Sequence, residues 1–187
     1  VGGGRAGVPA RGYSGAIPPV LDNDGSYRVD DEVLCGFGRP GNAFGCQTYT
    51  YPPDSMSVAK ALSSGYLPIS AVLLSPELVE IIEEEAVRIG GLWHAFTYSA
   101  HPVAAAVALT ALELYERRHT SGHVRKVSTV FLQKLKALGD HPLVGHAHGV
   151  GLLGPVDWTP ATTTRPYLST LRCPVPHDAS TSRTEPT

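Results

Sequence analysis

The sequence is poor in charge. Only 17% of its 187 residues are Asp, Glu, Lys or Arg, against about 25% in an average globular chain, and 15 basic against 17 acidic residues leave a formal net charge of −2. No basic block occurs, which excludes the electrostatic footprint of a nucleic-acid binder or of a protein held on an anionic membrane. Cysteine is scarce too. Cys35, Cys46 and Cys173 are too few and too scattered for a disulfide framework or a CxxC metal site, which suits a reducing compartment, and a cytoplasmic location is expected. Residues 89–112 carry no formal charge, but they include His94, Thr97, Tyr98, Ser99, His101 and Pro102, so they read as a loop and a buried helix rather than a membrane span. No signal peptide opens the chain, and Val1 in place of an initiator Met reads as the start of an excerpt. A small molecule is the expected ligand, with no nucleic acid and no membrane as partner.

What the chain has in excess is Gly (20) and Pro (16), hence turns. Residues 1–19 read as a Gly- and Pro-rich connection without a long helix. Residues 27–34, 55–59 and 69–74 read as strands, the last (ISAVLL) as one buried on both faces. Ser75-Pro76 opens a helix over 76–88, His101-Pro102 a helix over 102–118 that is apolar nearly all round, and Val124, Val127, Phe131, Leu135 and Leu138 a helix over 122–138 with Gly139 as its cap. Strands alternating with helices predict an α/β fold with a partly parallel sheet. From Pro155 on, Pro, Thr and Ser dominate, as in irregular polypeptide.

Two glycine patterns invite a dinucleotide reading. Gly36-Phe37-Gly38-Arg39-Pro40-Gly41 satisfies GxGxxG, but a Rossmann unit needs a helix starting in that loop, and the break at Tyr51-Pro52-Pro53 follows too soon. Gly149-Val150-Gly151-Leu152-Leu153-Gly154 is followed at once by Pro155. Both read as tight structural loops. His141, His146 and His148 resemble metal-ligand spacing, since His at i and i+2 on a strand face one side, but only Asp140 adds a nearby ligand, so no metal is expected.

Lys60 is the only charged residue between Asp54 and Glu77. Either its ammonium reaches water along the apolar stem, or it sits in a pocket that favours the neutral amine, the nucleophile of Schiff-base chemistry. Upstream, Asp31 and Glu32 end a strand. Neighbouring strand residues point to opposite faces, so these two carboxylates have different roles.

Three stretches carry a family resemblance: DEVLCGFGRPGNAFGCQTY (31–49), PDSMSVAKALSSGYLPISAVLLS (53–75) and WHAFTYSAHPVAAAVALTALEL (93–114). In order and spacing they resemble the class III aminotransferases, nearest the ω-amino acid or amine:pyruvate branch. The resemblance implies the C-terminal part of the fold-type I, cofactor-binding large domain, a three-layer α/β/α unit, over 1–118. It implies the start of a small C-terminal α+β domain over 119–157, with an irregular tail over 158–187. It implies pyridoxal 5′-phosphate (PLP) as cofactor, with Lys60 as the Schiff-base lysine and Asp31 as the partner of the pyridinium nitrogen. Thr97, preceded by Phe96, is implied to reach the cofactor phosphate of the neighbouring subunit in a homodimer. The implied reaction moves an amino group from an amine or ω-amino acid to a keto acid such as pyruvate. A truncated, non-catalytic relative and a small α/β nucleotide-binding module are the alternatives.

Departures from the family pattern are local. Arg28 and Asp30 stand in a strand that is normally apolar, Pro40 stands where Thr is usual, and Ala100 replaces the Gly that usually precedes His-Pro. The Gly/Ser loop that cradles the phosphate within the same subunit is missing from the matched stretch, and no arginine matches the one that often binds the substrate carboxylate.

Overall fold

The computed structural model describes residues 7–9 and 12–158. The tail expected over 158–187 therefore lies outside the described residues, apart from Trp158. The first element, α1 (Tyr13–Asn23), corrects the expectation of a structureless connection up to residue 19. Pro18 and Pro19 lie inside it and remove two amide donors, but Tyr13, Ile17 and Leu21 recur at helical spacing and line one cavity. The stripe outweighs the prolines.

β1 (Val29–Asp31) and β2 (Ser55–Val58) pair in parallel, with Asp31 opposite Ser57; β3 (Ala71–Leu74) pairs antiparallel with β2. The mixed α/β architecture is the expected one, with strand order β1-β2-β3. The unexpected Arg28 has a partner. Its guanidinium donates to both Asp54 carboxylate oxygens (3.1 and 3.3 Å), its backbone N–H donates to Asp54 at 2.6 Å, and its carbonyl accepts from Asp54 and Ser55. This pair, each side chain 18% exposed, staples the start of β1 to the start of β2. Arg28 holds the Asp54 carboxyl below its usual range, so the staple's contribution is complete above that range and is lost only as the pH falls through the lowered value beneath it.

Between β1 and β2 a long loop leads to the short α2 (Gly45–Tyr49). After β2 comes a 3₁₀ turn, Lys60–Ser63, then β3 and α3 (Pro76–Ile89), which Ser75 caps by accepting from the Leu78 N–H at 3.3 Å. α4 (Pro102–Arg117) and α5 (Thr120–Ala137) follow, close to their expected bounds. The expected Gly139 cap is absent; a 3₁₀ turn, Leu138–Asp140, ends α5 instead. β4 (Val144–Ala147) and β5 (Val156–Trp158) form an antiparallel pair.

The core is Cys46, Met56, Val58, Leu62 and Ala108, with Phe37, Phe44, Tyr51, Ile69 and Leu112 packed against it. Two burial expectations are corrected. β3 is exposed along its whole length, and α4 buries only the stripe Ala104, Ala108 and Ala111 while Val103 and Leu109 face outward. Among the described residues no helix is long and apolar enough to cross a membrane.

The two glycine patterns pack on each other. The Leu152 N–H donates to the Arg39 carbonyl at 2.9 Å, and Gly151, at φ +58°, lies so close that a Cβ there would fall 2.5 Å from Pro40 Cα and closer still to the Arg39 carbonyl. Both are structural loops, as expected. Gly151→Ala should therefore cost about 2 kcal/mol or more, combining a disfavoured backbone with a main-chain clash. An unchanged midpoint in chemical unfolding would contradict this packing.

Candidate active site

Because β1 and β2 are parallel, their C-terminal ends lie side by side, and open α/β sheets present ligand-binding groups at that edge. Asp31 ends β1, and Lys60 stands two residues beyond the end of β2. The structure thus brings these two predicted residues to one edge of the sheet. Both are exposed, and no ion pair joins them. The Asp31 Oδ1 accepts from the Val33 N–H at 3.1 Å, which orients the carboxylate where the strand turns.

Lys60 has φ +46°, a left-handed conformation that side chains rarely adopt. Such strain persists only where neighbours impose it. Here Leu62 N–H donates to the Ala59 carbonyl, Gly65 N–H to the Lys60 carbonyl, and the Tyr115 hydroxyl of α4 to the Ala61 carbonyl at 2.7 Å. The Lys60 backbone is therefore gripped from both sides of the turn.

Thr97 and Phe96 lie elsewhere, on the exposed loop between α3 and α4. The Phe96 N–H donates to Ser99 Oγ at 3.0 Å and its carbonyl accepts from the Ser99 N–H, making a tight turn. Ala100 follows at φ +57°, the strained position that a Gly would relieve, and His101 Nδ1 caps α4 by accepting from the Ala104 N–H. Leu92, Trp93, Phe96 and Tyr98 are all more than 60% exposed. No described hydrogen bond joins Thr97 to Asp31 or Lys60.

The residues that sequence reasoning missed as a unit are Asp30, Glu32 and Tyr51. Strand alternation turns Asp30 and Glu32 inward, opposite to Asp31. Glu32 is 1% exposed; its Oε1 accepts from the Cys46 N–H at 2.9 Å, while its Oε2 and the Asp30 Oδ2 are buried without a donor from the protein. One proton shared between the two carboxyls would satisfy both oxygens. Burial, and secondarily the Asp30 charge and hydrogen bond, push Glu32 up to about 7 against the pull of the Cys46 N–H. Burial and then the Asp30 contact likewise push the Tyr51 hydroxyl up, and burial raises the Cys35 and Cys46 thiols. Asp31, Glu32, Tyr49 and Tyr51 line an open cavity of about 560 Å³, with α1 forming part of its wall. The signal for this group was Asp30 itself, a carboxylate in a strand that should be apolar.

A profile of the family described as "Aminotransferase class-III" matches residues 4–173. Among curated proteins, gamma aminobutyrate transaminase 3, chloroplastic, of Solanum lycopersicum is 44% identical over 161 residues, 81% of this chain and 31% of that protein. Vanillin aminotransferase of Capsicum frutescens is 47% identical over 151 residues, 80% of this chain and 33% of that one. A solved transaminase with L-Ala superposes with a TM-score of 0.80 at 44% identity, covering 83% of this chain and 37% of that one. The omega transaminase from Pseudomonas jessenii in complex with PMP gives 0.79 at 40% identity, covering 82% and 34%. The chain spans about a third of the length of these relatives.

Glu32 holds its proton more tightly folded than unfolded, so its contribution to stability is complete below the ordinary carboxylate range. That contribution declines as the pH rises towards 7, and is flat beyond. Asp30→Asn replaces a like charge by an amide donor. It should flatten the decline between pH 5 and 8 and add on the order of 1 kcal/mol at pH 8, read from thermal unfolding across that range. Parallel curves for both proteins would count against a shared proton.

Proposed function

The chain belongs to the class-III aminotransferases, enzymes of the PLP-dependent fold-type I class, and from that premise we propose that it forms the central part of an aminotransferase subunit whose covalent anchor is Lys60. The observation that carries the reading is the placement of Asp31 at the end of β1 and of Lys60 just beyond the end of β2, on the C-terminal edge of two parallel strands, with the Lys60 backbone held in a strained conformation. The donor set fits PLP: a primary amine suits its aldehyde and a carboxylate suits its ring nitrogen. When bound, the cofactor supplies an electron sink for the substrate carbon that gives up its proton.

Asp31 would hold the ring nitrogen, and its bond from the Val33 N–H keeps the carboxylate aimed. Lys60 would anchor the cofactor and would carry a proton at its Nζ to and from the substrate carbon. Thr97 offers a hydroxyl to the phosphate held by a neighbouring subunit, and Phe96 supports that loop. The exposed loop Leu92–Tyr98, separate from Lys60 and rich in apolar side chains, supports this placement across a homodimer. An amine or ω-amino acid as donor is in keeping with relatives named gamma aminobutyrate transaminase and vanillin aminotransferase, and a keto acid such as pyruvate as acceptor is the part of the proposal that rests on the family resemblance alone. Two relatives are named chloroplastic and mitochondrial, so those names do not support a specifically cytoplasmic location. We assign the C-terminal part of the large domain to 1–118 and the start of the small domain to 119–157, a division that the separate β4–β5 sheet supports.

The exposure of β3 favours a second reading, in which these residues hold PLP only alongside the rest of a subunit. One experiment separates the two. With millimolar PLP followed by borohydride reduction and peptide mapping, the proposal expects the label on Lys60 in preference to Lys126, Lys134 and Lys136 of α5. Lys60→Ala should then lose the visible absorption band. Equal labelling of all four lysines would favour the second reading.

A further inference from the structure

Outside the Lys60 edge, the β4–β5 pair brings together three side chains of a different chemistry. His146 of β4 and His148, one residue beyond its end, stand at i and i+2, and their rings stack with centroids 4.5 Å apart and planes 27° apart. Asp157 of β5 is registered directly opposite His146, and cross-strand partners in an antiparallel pair share a face. A register shift between Val144 and His146, the irregularity that re-aims side chains at sheet edges, lies just before the first histidine. One ligand atom from each of the three residues lies within 4.8 Å of the others.

We propose that the His146–His148–Asp157 face of the β4–β5 hairpin binds a divalent transition-metal ion of the zinc class. Two imidazoles and one carboxylate suit zinc, copper, nickel or iron rather than calcium or magnesium, which prefer all-oxygen sets. Metal–ligand bonds of about 2.0–2.1 Å place tetrahedral ligands about 3.4 Å apart, so rotamer adjustments of roughly 1 Å close the set. With three protein ligands, a fourth position remains for water or an exogenous donor. His141, grouped with the other two by spacing alone, takes no part: its Nδ1 accepts from the Leu143 N–H at 3.2 Å and orders the turn into β4. The carboxylate that the sequence did not supply nearby arrives from β5 instead, eleven residues beyond His146. The site is independent of the PLP reading, because none of its residues lies at the Lys60 edge.

The test uses the full chain, stripped with chelator and titrated with Co²⁺, whose visible spectrum reports coordination, followed by displacement with Zn²⁺. Saturable uptake of about one equivalent is expected, with Zn²⁺ raising the unfolding midpoint. His146→Ala, at an exposed position, and Asp157→Asn should each weaken uptake at least roughly tenfold and abolish the midpoint shift, while His123→Ala on α5 leaves both unchanged. His146→Ala is the variant least able to disturb packing, and a circular-dichroism spectrum matching the parent shows that lost uptake is not lost folding. Absence of saturable uptake at millimolar Co²⁺, or uptake indifferent to His146→Ala, would overturn the proposal and leave the trio as a stacked polar pair facing a carboxylate.

Discussion

A carboxyl group almost wholly removed from water governs the centre of this fold. Glu32 sits where β1 ends, and its backbone N–H donates to the Ser57 carbonyl, extending the parallel pairing by one residue beyond the strand. Its carbonyl accepts from Gly36, and its side chain accepts from Cys46, so one residue defines both where β1 ends and where α2 begins. Gly45 is obliged by the same group: a Cβ there would lie 2.9 Å from the Glu32 Oε1. Asp31 is exposed at the sheet edge because its neighbour is drawn inward. The functional reading of Asp31 thus depends on the structural role of Glu32.

A second constraint couples the sheet edge to the helices. The turn carrying Lys60 is not held by the sheet alone, since the Tyr115 hydroxyl of α4 binds the Ala61 carbonyl and contacts Ser64. Tyr115 also stacks near Phe37 of the loop after β1. The glycine loop 36–41 is fastened further by Arg125 of α5, which donates to the Gly41 carbonyl, and by Leu152. The loop that imitates a nucleotide-binding pattern therefore joins β1, α5 and the approach to β5, and its glycines answer a close approach to the Glu32 carbonyl at Gly36 and a positive φ at Gly38 and Gly41.

Much of this was legible in the residues. Period-2 and period-3.6 patterns located three strands and three helices because local apolar spacing and caps such as Ser75 and His101 decide such elements. The opposite facing of Asp31 and Glu32 follows from strand geometry, and the structure shows it. What escaped was non-local. Asp30 looked like an error in an apolar strand until Glu32 and Tyr51 were placed around it. His146 and His148 lacked a carboxylate until β5 folded back to supply Asp157. α1 was masked by its own prolines, since propensity speaks against Pro18 and Pro19 whereas the cavity lined by Tyr13, Ile17 and Leu21 speaks for the stripe.

The scarcity of charge noted at the outset has its physical sense in surfaces rather than in the core. β3 is apolar yet exposed, α4 is apolar on faces it does not bury, and the loop Leu92–Tyr98 presents four large side chains to solvent. Apolar area on this scale costs about 25 cal/mol per Å² to keep wet, so such faces are stable only when covered. The chemistry-bearing edge is set locally, by Glu32, the Lys60 turn and Tyr115, whereas the faces around it ask for further polypeptide. Geometry at the edge and cover around it are separate requirements, and on the role proposed for Thr97 its exposed turn belongs to the second.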